Sequence, residues 1–264
     1  MIPQDFITEW SNYLPWKTNE QVEQDLVICR SLVEIFSDDF LSSNLAFRGG
    51  TTLNKIYLQP PARYSEDIDL VQINPHPIKE TIQRLQDKLR FIDPSPVIDP
   101  RKNNNTLKFR FQSEFPPVQI LRLKIEINCR EHFSVLGYQV LPFTIKTAWF
   151  SGSCEITTYK LEELLGTKIR ALYQRRKGRD LYDLYKAIKM LPDLNLDEII
   201  QCYRAYMKFV VDRLPTQNQY LRNLEEKLLD TEFLGDTTAL IHPDEEYNPH
   251  EAFELVKARL IERL

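Results

Sequence analysis

The sequence predicts an α+β fold: an N-terminal domain over residues 1–158 with a mixed sheet flanked by helices, then a helical bundle over 159–264. Three observations predict it. Before residue 158, short runs of period-2 alternation are set between amphipathic helices, the pattern of strands interleaved with helices. From Tyr159 onward the period changes to 3.6. The chain has only seven glycines, and two of them, Gly49 and Gly50, stand together where a strand-like run gives way to helical spacing.

A chain of 264 residues has ample material for one large domain or two joined ones. A hydrophobic share of 42% with 27% charged residues is that of a soluble globular protein and sets disorder aside. Net charge of −4 and a pI near 5.7 exclude a generally basic nucleic-acid coat. The charge is unevenly placed, however. Residues 101–130 hold seven Lys/Arg against two acids, 168–179 hold six against none, and from 221 to the end eleven acids face five bases. A polyanion would therefore meet a local patch. Cys29, Cys129, Cys154 and Cys202 show neither C-x-x-C spacing nor paired histidines, which points to thiols in a reducing compartment and away from zinc or a disulfide framework. The start, Met1-Ile2-Pro3-Gln4-Asp5, is no leader, and no apolar run approaches about 18 residues, so a cytosolic protein without a membrane partner is expected.

Residues 5–16 read as a short helix and an aromatic-anchored turn. Thr18 and Gln21 have capping-box spacing, and Val22, Leu26, Cys29, Val33 and Phe36 make an amphipathic helix over about 19–37. Leu45-Ala46-Phe47-Arg48 is a strand end, and Leu53, Ile56 and Tyr57 resume helical spacing after the glycine pair. Adjacent glycines at such a junction let backbone N–H groups approach an anion, with Thr51 or Thr52 adding a hydroxyl; a plain tight turn capped by threonine would look the same. No G-x-x-x-x-G-K-[ST] is present, which excludes a Walker-type loop.

Ser65 to Ile73 alternates, so Asp67 and Asp69 share one face of a strand, roughly 6–7 Å apart. That pair suits joint coordination of Mg²⁺ that also holds triphosphate oxygens, and equally suits a solvated strand face. A helix over about 77–90 and a proline-rich bend at Pro94, Pro96 and Pro100 follow, then strands over 107–111 and 121–130. In the latter, odd positions are apolar and even ones polar, with Glu126 the only acid on the wet face. Glu126 is either the third carboxylate of the site or the partner of Lys124 or Arg122 in a surface ion pair. Strands over about 138–146 and 154–158 close the sheet.

Beyond Tyr159, Leu161, Leu164, Leu165, Lys168, Ile169, Leu172 and Arg175 share one side of a helix. Lys168 and Arg175 thus sit in or beside the apolar stripe, where a cation needs an anionic partner, a phosphate or a carboxylate, unless it snorkels to the rim. A basic turn, Gln174 to Arg179, breaks the helix, and Asp180 opens the next as an N-terminal acid, with Asp183 three residues on. Helices over about 195–212, 217–230 and 250–263 complete the bundle; His242 and His250 lack metal-ligand spacing.

Three stretches, in order, resemble the AbiEii/AbiGii toxin family of nucleotidyltransferases. They are Phe47-Arg48-Gly49-Gly50-Thr51-Thr52-Leu53 with Arg63-Tyr64-Ser65-Glu66-Asp67-Ile68-Asp69-Leu70; Lys124-Ile125-Glu126-Ile127-Asn128; and residues 161–172 with Arg175 and Arg179-Asp180-Leu181-Tyr182-Asp183-Leu184. The resemblance implies a minimal nucleotidyltransferase domain of the DNA-polymerase-β type joined to helices, serving as the toxin of a toxin–antitoxin or phage-defence system in the cytoplasm. By position, it implies that Gly49, Gly50, Thr51, Thr52 and Ser65 bind the nucleotide, that Asp67 and Asp69 with Glu126 hold Mg²⁺ or Mn²⁺, that Lys168 and Arg175 meet phosphate, and that Asp180, with Asp183 as the alternative, is the later essential acid. The wider superfamily usually has Gly-Ser where this chain has Gly50-Thr51; a hydroxyl survives. The expected reaction is attack of an acceptor hydroxyl, the 3′ end of a tRNA by resemblance, on the α-phosphorus of an NTP bound by both halves of the chain. The expected protein partner is an antitoxin encoded by a neighbouring gene and acting without a stable complex. Transfer to an antibiotic-like small molecule, and a non-catalytic nucleotide-binding module, are the alternatives.

Overall fold

The computed structural model describes every residue except Met1 and Lys102, so the first residue of the leader reading and one of the seven bases in 101–130 lie outside the described residues. The chain divides into two units: residues 1–56, 64–134 and 138–159 form one, and residues 57–63, 135–137 and 160–264 the other.

The first unit opens with α1 (Gln4–Ser11) and α2 (Asn19–Phe36). The Thr18 hydroxyl accepts from the Gln21 N–H, and the Gln21 side chain accepts in turn from the Lys17 N–H. A short α3 (Asp39–Asn44), capped by the Asp38 carboxylate, leads into β1 (Leu45–Arg48). The glycine pair then starts the single turn α4 (Gly49–Thr52), which runs on as a π-helical turn, Leu53–Tyr57. After β2 (Asp67–Gln72) and α5 (Lys79–Lys88) come β3 (Val97–Pro100), β4 (Asn104–Gln112), β5 (Ile120–Asn128), β6 (Tyr138–Lys146) and β7 (Ser151–Tyr159). The proline-rich bend expected after α5 thus contains an edge strand. Pro100 is tolerated there because β3 has a neighbour on one side only, β4.

The seven strands form one mixed sheet in the order β3-β4-β5-β2-β1-β7-β6. β2 runs parallel to β5 and β1 parallel to β7, while the other neighbours are antiparallel. The alternation in β5 sorts the two faces: Leu123, Ile125 and Ile127 are fully buried, and Arg122, Lys124, Glu126 and Asn128 point the other way. The apolar face packs with α2, whose Leu26, Val27, Ile28 and Leu32 are fully buried, and each such side chain contributes about 1.5–3 kcal/mol on leaving water.

The second unit is built on α6 (Leu161–Gln174), which packs on α7 (Gly178–Met190), α8 (Leu196–Lys208) and α9 (Gln217–Lys227). α10 (Thr231–Gly235), α11 (Pro249–Arg259) and a 3₁₀ turn, Ile261–Arg263, follow. Gly166 permits the close approach of α8, since a Cβ there would stand 2.6 Å from that of Cys202. The two outlying segments belong here through buried polar contacts. Fully buried Glu163 accepts from the Val135 and Leu136 N–H groups and from the Tyr206 hydroxyl, while Tyr182 donates to the Ala62 carbonyl. Among the described residues no helix is long and apolar enough to cross a membrane, and all four thiols are free.

Candidate active site

Two polar clusters hold the predicted residues, one in each unit. In the first, Gly49 has φ of +84°, and a Cβ there would fall 2.1 Å from Asp69 Oδ2 and 2.9 Å from Asp69 Cβ. Only glycine lets the turn after β1 press its backbone on this aspartate. Parallel pairing sets Asp69 beside Glu126 and Asp67 beside Lys124, so all four side chains leave the same face of the sheet. Antiparallel pairing adds Arg48 beside Asp69, and Arg48 binds buried Glu131 at 2.7 Å. Lys124 Nζ lies 3.1 Å from Asp67 Oδ2 and 3.3 Å from Glu126 Oε1. Of the two readings of Glu126, the ion pair with Lys124 is thus present, and so is the register that puts Glu126 next to Asp69. Burial raises the carboxyl of Asp67, with Lys124 opposing.

The hydroxyls of this cluster are used internally. Thr51 donates to the Asp67 carbonyl, which leaves Ser65 as donor in the 2.7 Å contact between the Thr51 and Ser65 hydroxyls. Thr52 donates to the Arg48 carbonyl at 2.6 Å, and the Gly50 carbonyl accepts from the Asn54 side chain. Thr51 therefore locks α4 onto the start of β2 and Thr52 ties it to the end of β1, and what this turn offers an anion is backbone. Lys55, one turn on, binds buried Asp25, which also accepts from the indole N–H groups of Trp10 and Trp16. That hub anchors the turn to α2. Beside it, burial pushes the Cys29 thiol up to about 12, so this sulfur is packing, not a nucleophile.

The second cluster is a chain of alternating charges. Arg63 forks onto Asp183 at 2.7 and 2.8 Å; Lys168 Nζ bridges Asp183 at 2.7 Å and Asp180 at 3.0 Å; Arg175 forks onto Asp180 at 2.6 and 2.7 Å. Arg63, Lys168, Asp180 and Asp183 are all buried, whereas the Arg175 side chain is 50% exposed. Burial would raise both carboxyls, but Lys168 and Arg175 hold Asp180 well below the usual carboxylate range, and Arg63 and Lys168 hold Asp183 below it. The requirement that Lys168 find an anion is met by carboxylates, not by snorkelling. Asp180 does not cap a helix: α7 begins at Gly178, and the carboxylate turns inward from its first turn. Arg63 is the member of this cluster that sequence reasoning leaves without a role, because its partner lies 120 residues away and nothing in its sequence neighbourhood shows it.

The basic stretch 168–179 is largely neutralised by acids that folding brings to it. Besides the pairs above, Arg176 meets Asp230, and Lys177 and Arg179 both meet Asp236. Among the described residues no three His, Cys, Asp or Glu side chains converge as a metal cage.

A family model described as nucleotidyl transferase AbiEii toxin, type IV toxin–antitoxin system, matches residues 30–259. Two solved structures are similar in fold. MenT4, a nucleotidyltransferase toxin of Mycobacterium tuberculosis, is 14% identical with a TM-score of 0.63, over 100% of this chain and 91% of that one. JHP933 of Helicobacter pylori is 17% identical with a TM-score of 0.55, over 93% of each chain. No curated protein matches the sequence. With the match spanning the glycine turn, the Asp-x-Asp strand, the Glu126 strand and the Lys168–Asp183 cluster, the chain belongs to the AbiEii nucleotidyltransferase toxin family of type IV toxin–antitoxin systems.

Proposed function

We infer that this nucleotidyltransferase is metal-dependent and attaches the nucleotide of an NTP to a hydroxyl of an RNA acceptor, with the 3′ end of a tRNA as the candidate. The observation that supports this best is the pairing of Asp69 with Glu126 on adjacent parallel strands, with Gly49 pressed on Asp69. Two carboxylates on one strand face and a third beside them on the neighbouring strand offer the oxygen donors that Mg²⁺ takes, one or two carboxylates together with substrate phosphates. When bound, Mg²⁺ or Mn²⁺ would be held by Asp67 and Asp69 with Glu126 alongside, and would neutralise charge developing on the phosphoryl oxygens.

In this reading the backbone of Gly49 to Thr51, held by the Thr51 and Thr52 bonds, cradles the triphosphate. Within the helical unit, Arg175 is the cation assigned to phosphate; Asp180 fixes its guanidinium, and Lys168 holds Asp180 in turn. The acceptor oxygen bonds to the α-phosphorus as the bond to the bridging oxygen breaks, pyrophosphate leaves, and Glu126 takes the acceptor proton. A cognate antitoxin encoded by a neighbouring gene and acting without a stable complex completes the system.

Incubation with labelled NTPs, Mg²⁺ and total RNA tests the reaction. Label is expected in RNA; label in small molecules alone would reassign the acceptor, and none anywhere would refute transfer. The Asp69→Asn protein should keep its circular dichroism and lose labelling, and retained labelling would sink the carboxylate assignment.

A further inference from the structure

Outside the residues just described, the polar face of the sheet carries an arrangement that costs stability. β4 and β5 are antiparallel, and their register sets Arg110 directly opposite Arg122 and Lys108 directly opposite Lys124. Directly opposed residues share a face at about 4.5–5.5 Å between Cβ atoms, where like charges repel. Lys124 is neutralised by Asp67 and Glu126, and Lys108 reaches Asp99 at 3.6 Å. Arg110 and Arg122 are both exposed, and neither guanidinium forms an ion pair among the described residues. This is unlike the cations of 174–179, which folding supplies with acids.

The same register orders the charges into rows across the sheet. Arg110 and Arg122 form a wholly cationic row; Lys108, Lys124 and Asp67 form the next; Glu126 and Asp69 form the third. Four residues of β5 separate the first row from the third, about 13 Å at the rise of a strand. A ligand that neutralises the first row and reaches the third must therefore be an extended polyanion with a reactive end. Exposed Ile120 continues the same face beyond Arg122 and gives such a ligand an apolar seat.

We propose that the β4–β5 face is the docking surface for the acceptor's phosphodiester strand, with Arg110 and Arg122 on its phosphates and its terminal hydroxyl led along β5 to Glu126 and Asp69. The proposal rests on the polynucleotide-acceptor reading above and gives that acceptor a place. Charge complementarity selects the occupant: the paired arginines repel each other until a phosphate lies between them.

The test uses the full-length protein, Arg110→Gln and Arg122→Gln singly and together, and a short single-stranded oligoribonucleotide blocked at its 3′ end, so that binding is read without transfer. Counterion release gives a slope of about 0.7 per phosphate contact in single strands, which makes each contact worth about fivefold in affinity at 0.1 M salt. Each single variant should bind about fivefold more weakly and the double variant about 25-fold, with a shallower salt dependence and unaltered NTP affinity. In the absence of nucleic acid, each single variant should melt no lower than the parent, because one substitution relieves the repulsion. Unaltered oligonucleotide affinity would overturn the proposal, as would a loss of NTP affinity instead, which would give the arginines to the triphosphate. Lower melting of both single variants would also overturn it, since it would make the pair a structural one. Whether the unmodified protein labels an unblocked RNA is measured separately, so failure of the transfer reading is distinguished from failure of the docking surface.

Discussion

Asp183 is a residue whose importance is set by its neighbours. It is fully buried and holds two cations, Arg63 and Lys168, that would otherwise be buried beside one carboxylate only. Removing one partner of a buried ion pair costs about 3–5 kcal/mol because it strands the other charge. Asp183→Asn should therefore unfold at clearly lower urea than Asp180→Glu, which keeps the charge. The pH dependence follows from the depressed carboxyls. A group whose folded value lies below the ordinary 3.8 contributes stability above that pH and loses it as pH falls through the folded value. Urea midpoints of the parent protein should drop steeply below about pH 4, and those of Asp183→Asn should drop less. Sequence alone placed Lys168 against an unnamed anion and left Asp180 and Asp183 as alternatives. The structure makes them one network, because a lysine at the centre of two forked arginine–carboxylate pairs needs both.

Among elements, helix α9 closes the C-terminal end of α6 through one residue. Lys227 is buried and donates to the carbonyls of Leu172 and Tyr173, which lack helical partners at the end of α6. Burial lowers its ammonium from 10.5 to about 8. A depressed lysine is disfavoured in the folded state while charged, so the penalty is present below pH 8 and is relieved as pH rises toward 10.5. Melting temperature measured over that range should show an upward contribution that disappears in Lys227→Met. Long periodic elements such as α2, α6 and β5 were legible in the sequence because one face of each is continuously buried. The short ones were not. β3, α3 and α10 span only 4, 6 and 5 residues, too few to establish a period, and they exist because a neighbour or a capping aspartate holds them.

At the scale of the molecule, the helical unit takes in residues 57–63 and 135–137. A fragment beginning at Lys160 would lack Arg63, the partner of Asp183, and the Val135 and Leu136 amides that satisfy buried Glu163. Such a fragment should fail to show a cooperative thermal transition; sharp unfolding by calorimetry would mean that these buried carboxylates tolerate losing their partners. Net charge gave a poor guide to where an anion would be met. The two basic segments looked alike in sequence, yet one is neutralised by Asp230 and Asp236 while the other leaves Arg110 and Arg122 opposed on an open strand face.

Sequence by itself determined the fold class, the face on which Asp67, Asp69 and Glu126 stand, and the need of Lys168 for a counter-charge. The first follows from the order of periods along the chain, and the other two from period within a single element. Tertiary structure alone decided the register of β2 on β5 and β4 on β5, the passing of Asp69 against Gly49, and the pairing of Arg63 with Asp183. Those depend on which distant segments meet, and side-chain periodicity within one segment holds no information about its neighbour's offset.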